Sequence, residues 1–284
     1  MILLDGKTIS TKLKSDIKNI VNSYKDIYNS VPILTTILVG NDSASKIYVR
    51  NKEKACEECG FVSNTVNLPE DVTQNALNLI INEYALKSDG LIVQLPLPNG
   101  LNSDIINNYP DKDVDGFTRV NLGKLFLGEK CYVPATPLGI TILLEEYHIQ
   151  TENKNIVIIG RSNIVGKPLA SILMNKPYNG NVTVLHSKTD EETMHGYCKN
   201  ADIIIVAIGK SEFLNYKDLK EDCVIIDVGI NRDSETKKIT GDVSKDVDYV
   251  AYKTPVPGGV GPMTICGLMW NTLESFENKH KKNE

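Results

Sequence analysis

Tyr48 and Lys52 stand four residues apart in Ser45-Lys-Ile-Tyr48-Val-Arg-Asn-Lys52, a segment that reads as helix. Residues at i and i+4 share one helical face about one turn apart, so a phenol and an amine point the same way. The amine is a candidate proton carrier. A Tyr–Lys pair on a solvated helix face has the same spacing, so the pair gains meaning only from other segments.

A second candidate lies in Gly160-Arg161-Ser162-Asn-Ile-Val165-Gly166, directly after an apolar strand and before a helix. Backbone N–H groups at a helix start, with the positive end of its dipole, favour a pyrophosphate. The loop departs from G-x-G-x-x-G, because Ser162 takes the second glycine position and Val165 the third. A plain strand–turn–helix connection fits it equally well. The next strand ends in Leu185-His186-Ser187-Lys188-Thr189, without the acid that NAD-specific sites place about 20 residues on. Arg161 and Ser187 suit a phosphate on that ribose, which favours NADP. Ser187 also reads as the N-cap of the following helix, and Lys188 as a solvated side chain.

The elements that must position these groups alternate. Helical spacing runs from Thr8 to Tyr28, followed by a β-branched strand over 33–39 and a turn with an N-cap at Asp42-Ser43. Strand 61–68, helix 73–86 and strand 90–95 follow, the last ended by Pro96 and Pro98. This order predicts a parallel sheet. A helix over 137–147 leads to a second set, with strands at 156–159, 182–185, 203–206 and 224–227 and a helix from about Val165. A Pro- and Gly-rich stretch, 254–262, precedes a last helix. The predicted fold is α/β in two lobes, each a mostly parallel sheet with flanking helices, the second a Rossmann-type dinucleotide-binding lobe. The expected bounds are 1–137, completed by a C-terminal helix over 263–284, and 138–262.

The 284 residues suffice for two lobes. A net charge of −5 argues against a general nucleic-acid binder. No apolar run approaches the ~20 residues of a membrane span, and the N-terminus reads as neither a secretory nor a transit segment. A cytoplasmic protein with reduced, scattered cysteines is expected. Cys56-Glu-Glu-Cys59 has metal-ligand spacing, but no second Cys or His pair completes it, so no metal is expected.

Several motifs then agree. They include Tyr48-Val-Arg-Asn-Lys52, Gly90-Leu-Ile-Val-Gln94-Leu-Pro-Leu-Pro98, Asp111-Lys-Asp-Val-Asp115-Gly116-Phe117 and Pro134-Ala-Thr-Pro137. Further along stand Gly160-Arg-Ser-Asn-Ile-Val-Gly166, His186-Ser-Lys-Thr189, Asp227-Val-Gly-Ile-Asn231, Gly241-Asp-Val243 and Thr254-Pro-Val-Pro-Gly-Gly-Val-Gly-Pro-Met-Thr264. In this order, over nearly the whole chain, the sequence resembles the bifunctional methylenetetrahydrofolate dehydrogenase/methenyltetrahydrofolate cyclohydrolases.

The resemblance implies tetrahydrofolate substrates, NADP and a homodimer formed through the second lobe. It casts Lys52 as proton shuttle in hydrolysis, Tyr48 as the ring that packs on the folate, and Gln94 as the amide that tunes Lys52. Asp115 would bind the pterin, although an Asp before Gly116 also reads as a turn residue. Val93, Leu95, Pro257, Gly258, Gly259, Val260 and Gly261 would line the folate site. Gly160, Arg161, Ser162, Ser187 and Ile230 would contact NADP. A dehydrogenase without the hydrolase step and a silent binding protein on the same fold are the alternatives. The silent form should have lost Lys52, Gln94 or Asp115, and all three are present.

Overall fold

The computed structural model describes residues 1–232, 236 and 238–281. The chain begins with β1 (Ile2–Leu3), α1 (Gly6–Tyr28), β2 (Ile33–Val39), α2 (Ser43–Cys59), β3 (Val62–Leu68), α3 (Gln74–Lys87) and β4 (Gly90–Val93). After α4 (Arg119–Leu127) and α5 (Ala135–Glu146) come β5 (Asn155–Ile159), α6 (Gly166–Met174), β6 (Asn181–Leu185), α7 (Glu191–Lys199), β7 (Ile203–Val206) and β8 (Val224–Asp227). Short β9 (Asn231–Arg232), β10 (Ile239–Thr240) and β11 (Tyr252–Lys253) precede α8 (Val260–Lys281). No helix among the described residues is long and apolar enough to cross a membrane.

Two compact units result. One comprises Thr11–Lys124, Cys131–Ala135 and the chain from Ile265 onward. It carries the parallel sheet β3-β2-β4, in which every residue of β2 pairs with β3. Side chains alternate across a strand. Leu34 therefore joins Ile17 and Val21 of α1, Cys56 and Cys59 of α2, and Met269 and Leu273 of α8, while Ile37 and Val39 face Leu77 and Ile81 of α3. Cys56 and Cys59 are core residues here, and burial pushes both thiols up to about 12. Asp42 caps α2 by accepting from Ser45 N at 2.7 Å, and Gly60 ends it with φ +78°. The α8 portion is tied in by polar contacts too. Asn271 donates to the carbonyls of Val114 and Val133, and Lys279 pairs with buried Asp89 at 2.9 Å.

The other unit comprises Met1–Ser10, Leu125–Lys130 and Thr136–Thr264. Its six-stranded sheet has the order β1-β11-β8-β7-β5-β6, with parallel pairing throughout. The chain runs from β5 outward to β6 and then back to β7 on the other side of β5, so the strand order reverses there. Residues 1–10 lie here, not with the first sheet as their sequence position suggested. The side of β11 away from β8 is taken by β1: Ile2 and Leu4 donate to Ala251 O and Lys253 O at 2.6 and 2.9 Å. Observed strands match the expected cores. The periodicity gave no sign of α4 or of the two-residue strands, which are too short to show alternation. Positions 282–284 of the expected last helix lie outside the described residues.

Candidate active site

Lys52 projects from the third turn of α2 and is half-buried, while Tyr48, one turn earlier, keeps 46% of its surface exposed. The ammonium donates to Gln94 Oε1 at 3.0 Å. Gln94 stands one residue past β4, where its backbone N still bonds Ile37 O at 2.9 Å. Its amide nitrogen donates to Leu95 O at 2.8 Å, which turns the amide oxygen toward Lys52. An ammonium has three donors, so contact with Gln94 leaves others available. Glu53, the next residue along α2, accepts from Thr65 Oγ1 at 2.5 Å and so turns to β3. Val93 is half-buried and Leu95 exposed beside Gln94.

Asp115 lies in the same unit on the 111–118 loop and is half-buried. No donor among the described residues meets its carboxylate, and no hydrogen bond joins it to Lys52 or Gln94. The loop is held by Asp113, which is buried and accepts from Phe117 N at 3.1 Å, Thr118 N at 2.6 Å and Asn121 Nδ2 at 2.9 Å. Burial raises the Asp113 carboxyl above its ordinary range, against the pull of these donors. Gly116 has φ +72°, and a Cβ there would press on Tyr132 O at 2.6 Å. The turn reading and the site reading of this motif are therefore divided between two acids: Asp113 makes the turn, and Asp115 is left open.

Pro257, Gly258, Gly259, Val260 and Gly261 belong to the other unit, between β11 and the first turn of α8. Gly258 has φ +113°, a conformation L side chains rarely adopt. Lys7 N donates to Gly258 O at 2.8 Å, and Gly259 N to Pro255 O at 2.8 Å. A Cβ on Gly261 would lie 3.6 Å from Ile230 Cδ1, so one expected folate residue adjoins one expected cofactor residue.

At the carboxyl end of β5, Gly160 has φ +131°, and a Cβ there would overlap Ala207 O beyond β7. A Cβ on Gly166 would overlap Gly160 O, so helix α6 starts in close contact with the loop. Ser162 is a cap: its hydroxyl accepts from Val165 N at 3.1 Å and Gly166 N at 3.4 Å. The N–H groups of residues 161–164 donate to nothing among the described residues and lie at the helix start. Arg161 and Ser187 are exposed, with no ion pair or side-chain hydrogen bond among the described residues. Asp190, not Ser187, caps α7 by accepting from Thr193 N at 2.9 Å. That acid is spent on its own helix. Loop donors, an unengaged guanidinium and a free hydroxyl fit a phosphorylated dinucleotide at the sheet's reversal point.

Two family models match the chain. Tetrahydrofolate dehydrogenase/cyclohydrolase, catalytic domain, covers residues 4–115, and the NAD(P)-binding domain of the same family covers 134–280. The bifunctional protein FolD of Campylobacter concisus is 47% identical over 291 residues, spanning 100% of both chains. That of Chlorobium phaeovibrioides is 44% identical over 295 residues, spanning 99% of both. The crystal structure of the bifunctional enzyme FolD from Campylobacter jejuni is similar with TM-score 0.93 at 44% identity, covering 98% of this chain and 99% of that one. The Trypanosoma brucei enzyme, complexed with NADP cofactor and inhibitor, gives TM-score 0.92 at 32% identity and 98% coverage of both. The chain belongs to the tetrahydrofolate dehydrogenase/cyclohydrolase family.

In this dehydrogenase/cyclohydrolase, two acids of the glycine-loop unit that sequence reasoning left without a role are the most buried. Asp227 is 3% exposed and Asp242 0%. A charge closing the apolar run Val224-Ile-Ile-Asp227 was the available signal. Asp227 accepts from Gly229 N at 3.0 Å, Asp242 N at 2.8 Å and Val243 N at 3.0 Å. Burial still outweighs these donors, and with the Asp242 charge nearby the Asp227 carboxyl is pushed up to about 6. A raised folded-state value means the native protein holds a proton that the unfolded chain has released. Its contribution to stability is therefore full below about pH 4 and lost as pH rises through about 6, about 3 kcal/mol across the window. Urea unfolding at pH 4.5 and 7 should show the stability gap between wild type and Asp227→Asn narrowing toward pH 7. A gap independent of pH contradicts this assignment.

Proposed function

We infer that Lys52 and Gln94 carry the second of two consecutive reactions. The protein is a bifunctional folate enzyme of one-carbon metabolism. It oxidises methylenetetrahydrofolate to methenyltetrahydrofolate with NADP and hydrolyses the product to formyltetrahydrofolate. When bound, NADP supplies the hydride acceptor. The observation that carries the residue roles is the 3.0 Å contact between Lys52 Nζ and Gln94 Oε1, made by two residues that share no secondary-structure element. Water attack on a methenyl carbon and opening of the ring require protons to leave one oxygen and reach a nitrogen. An amine fixed by one hydrogen bond, with its other positions open, can relay them. Tyr48 offers an exposed ring one helical turn away for the folate to pack on. Asp115, without a donor among the described residues, suits the amino and ring N–H groups of a pterin, because a half-buried carboxylate is costly until donors meet it. Val93 and Leu95, beside Gln94, are proposed as further folate contacts. The lysine-bearing unit thus serves as folate domain and the glycine-loop unit as NADP domain.

Net charge −5 supports a reading without nucleic-acid partners, and the scattered cysteines support a cytoplasmic setting. We also propose a homodimer through the glycine-loop unit. Its supports are the open edge of β6 and a groove of about 640 Å³ beside it, bordered by Asn155, Asn181, Thr183 and Tyr197. Light scattering should return twice the chain mass of 31.4 kDa; a single-chain mass rejects the dimer.

Lys52→Met keeps the stem and removes the amine. Cyclohydrolase activity, followed by decay of the near-ultraviolet absorbance of the methenyl compound, should fall at least ~10²-fold, as for a lost general acid–base. Wild-type hydrolysis in this variant would refute the role of Lys52. Arg161→Ala should weaken NADP far more than NAD, by about 10- to 150-fold for one charge-assisted contact. Equal losses for the two cofactors would make Arg161 structural.

A further inference from the structure

We propose that Asp242, braced by Asp227, is the positioning residue that fixes the loops after β7 and β8 beside the Gly160 loop and so sets the affinity for NADP. The proposal rests on reading the glycine-loop unit as the NADP domain. Asp242 Oδ2 accepts from Ile208 N at 2.8 Å and from Gly209 N at 2.9 Å. These are the first turns of chain beyond β7, and Gly209 has φ +67°. The second oxygen, Oδ1, accepts from Asn231 Nδ2 at 2.9 Å, next to Ile230. Asp227, at the end of β8, holds Asp242 in turn by accepting from its backbone N–H. One aspartate is thus fixed to the sheet, and the second carries that fixed point outward to two loops.

Those loops border the dinucleotide loop. Ala207 N donates to Ile159 O at 2.8 Å, and a side chain on Gly160 would overlap Ala207 O. In open parallel sheets, ligands bind outside the carboxyl ends of the strands where the order reverses. The glycines of two motifs follow from the same packing. A Cβ on Gly229 would overlap the Asp242 carboxylate, and one on Gly241 the Asp227 carboxylate. No residue but glycine leaves room for the acids.

Charge decides between touching the ligand and acting through the loops. Bare carboxylates facing a phosphorylated cofactor would repel it. Here both oxygens of each acid meet N–H donors, and the side chains lie beneath the loops in full burial. Burying two acids is costly unless donors match them. The return is two loops held in one conformation before ligand arrives, and pre-organisation of this kind appears as affinity.

Three variants test this: Asp242→Ala, Asp242→Asn and Asn231→Ala. NADPH dissociation constants come from fluorescence titration, with KM for NADP and kcat from the dehydrogenase assay. Hydrolysis of the methenyl compound is measured without NADP. Asp242→Ala should raise the NADPH Kd and the KM for NADP at least about tenfold, as for buried donors left unsatisfied. At saturating NADP, kcat should stay near wild type. Hydrolysis should stay within about threefold, because Asp242 makes no hydrogen bond to Lys52, Gln94 or Asp115. Asp242→Asn keeps one oxygen for Ile208 and Gly209 and should recover most of the affinity. Asn231→Ala removes only the second tether, leaves the buried acids in place and should give a smaller rise in Kd. Wild-type Kd in both Asp242→Asn and Asn231→Ala, with Asp242→Ala either unfolded or equally tight, overturns the proposal. So does parallel loss of NADPH binding and hydrolysis in every variant, which would mark a general structural role. Absence of folate turnover in the wild type would sink the functional reading alone, since the NADPH titrations do not depend on it.

Discussion

Backbone N–H groups in the loops beyond the strand ends have no ladder partner, yet most of the proposed site residues lie on or beside those loops. Buried aspartates meet that need in both units. Asp113 gathers two backbone N–H groups and the Asn121 amide in the loop that carries Asp115. Asp227 and Asp242 do the same beyond β7 and β8. A carboxylate has two oxygens and about four acceptor sites, so one side chain can satisfy several donors that point in different directions. A neutral amide has half that capacity. The electrostatic cost of burial is visible in the raised carboxyls of Asp113 and Asp227.

This arrangement separates the acids that hold the loops from Lys52, the group proposed to react. Lys52 sits on a helix capped at both ends, by Asp42 and Gly60, and packed through Ala55, Cys56 and Cys59 into an apolar core. Its position follows from rigid secondary structure, and Gln94 meets it from the end of β4. The Gly160 loop has no such frame. It depends on glycines where loops approach closely, on the Ser162 cap and on the neighbouring loops that Asp242 ties down.

The parallel sheets explain why the functional residues are spread along the chain. Each crossover returns the next strand in the same direction, so all strand ends and their loops collect on one edge. In the six-stranded sheet, residues 160, 207 and 228 come from different crossovers, yet their backbones are neighbours: Ala207 N bonds Ile159 O and Val228 N bonds Val206 O. Sequence separation therefore carries little information about which loops cooperate.

The sequence by itself determined the α/β class, the apolar strands, the Tyr48–Lys52 face and the glycine loop, because these depend on local periodicity and on residues within a turn or two of one another. Motif order along nearly the whole chain supplied the family. Tertiary structure alone decided which Asp of Asp111-Lys-Asp113-Val-Asp115 is buried and which stays open. It also decided that Asp190 rather than Ser187 caps α7, and that residues 2–3 join β11 rather than the nearer sheet. The pairing of Asp227 with Asp242 belongs with these. Each is settled by which donors or open edges reach a group through space, and those partners lie in segments whose approach no local pattern records.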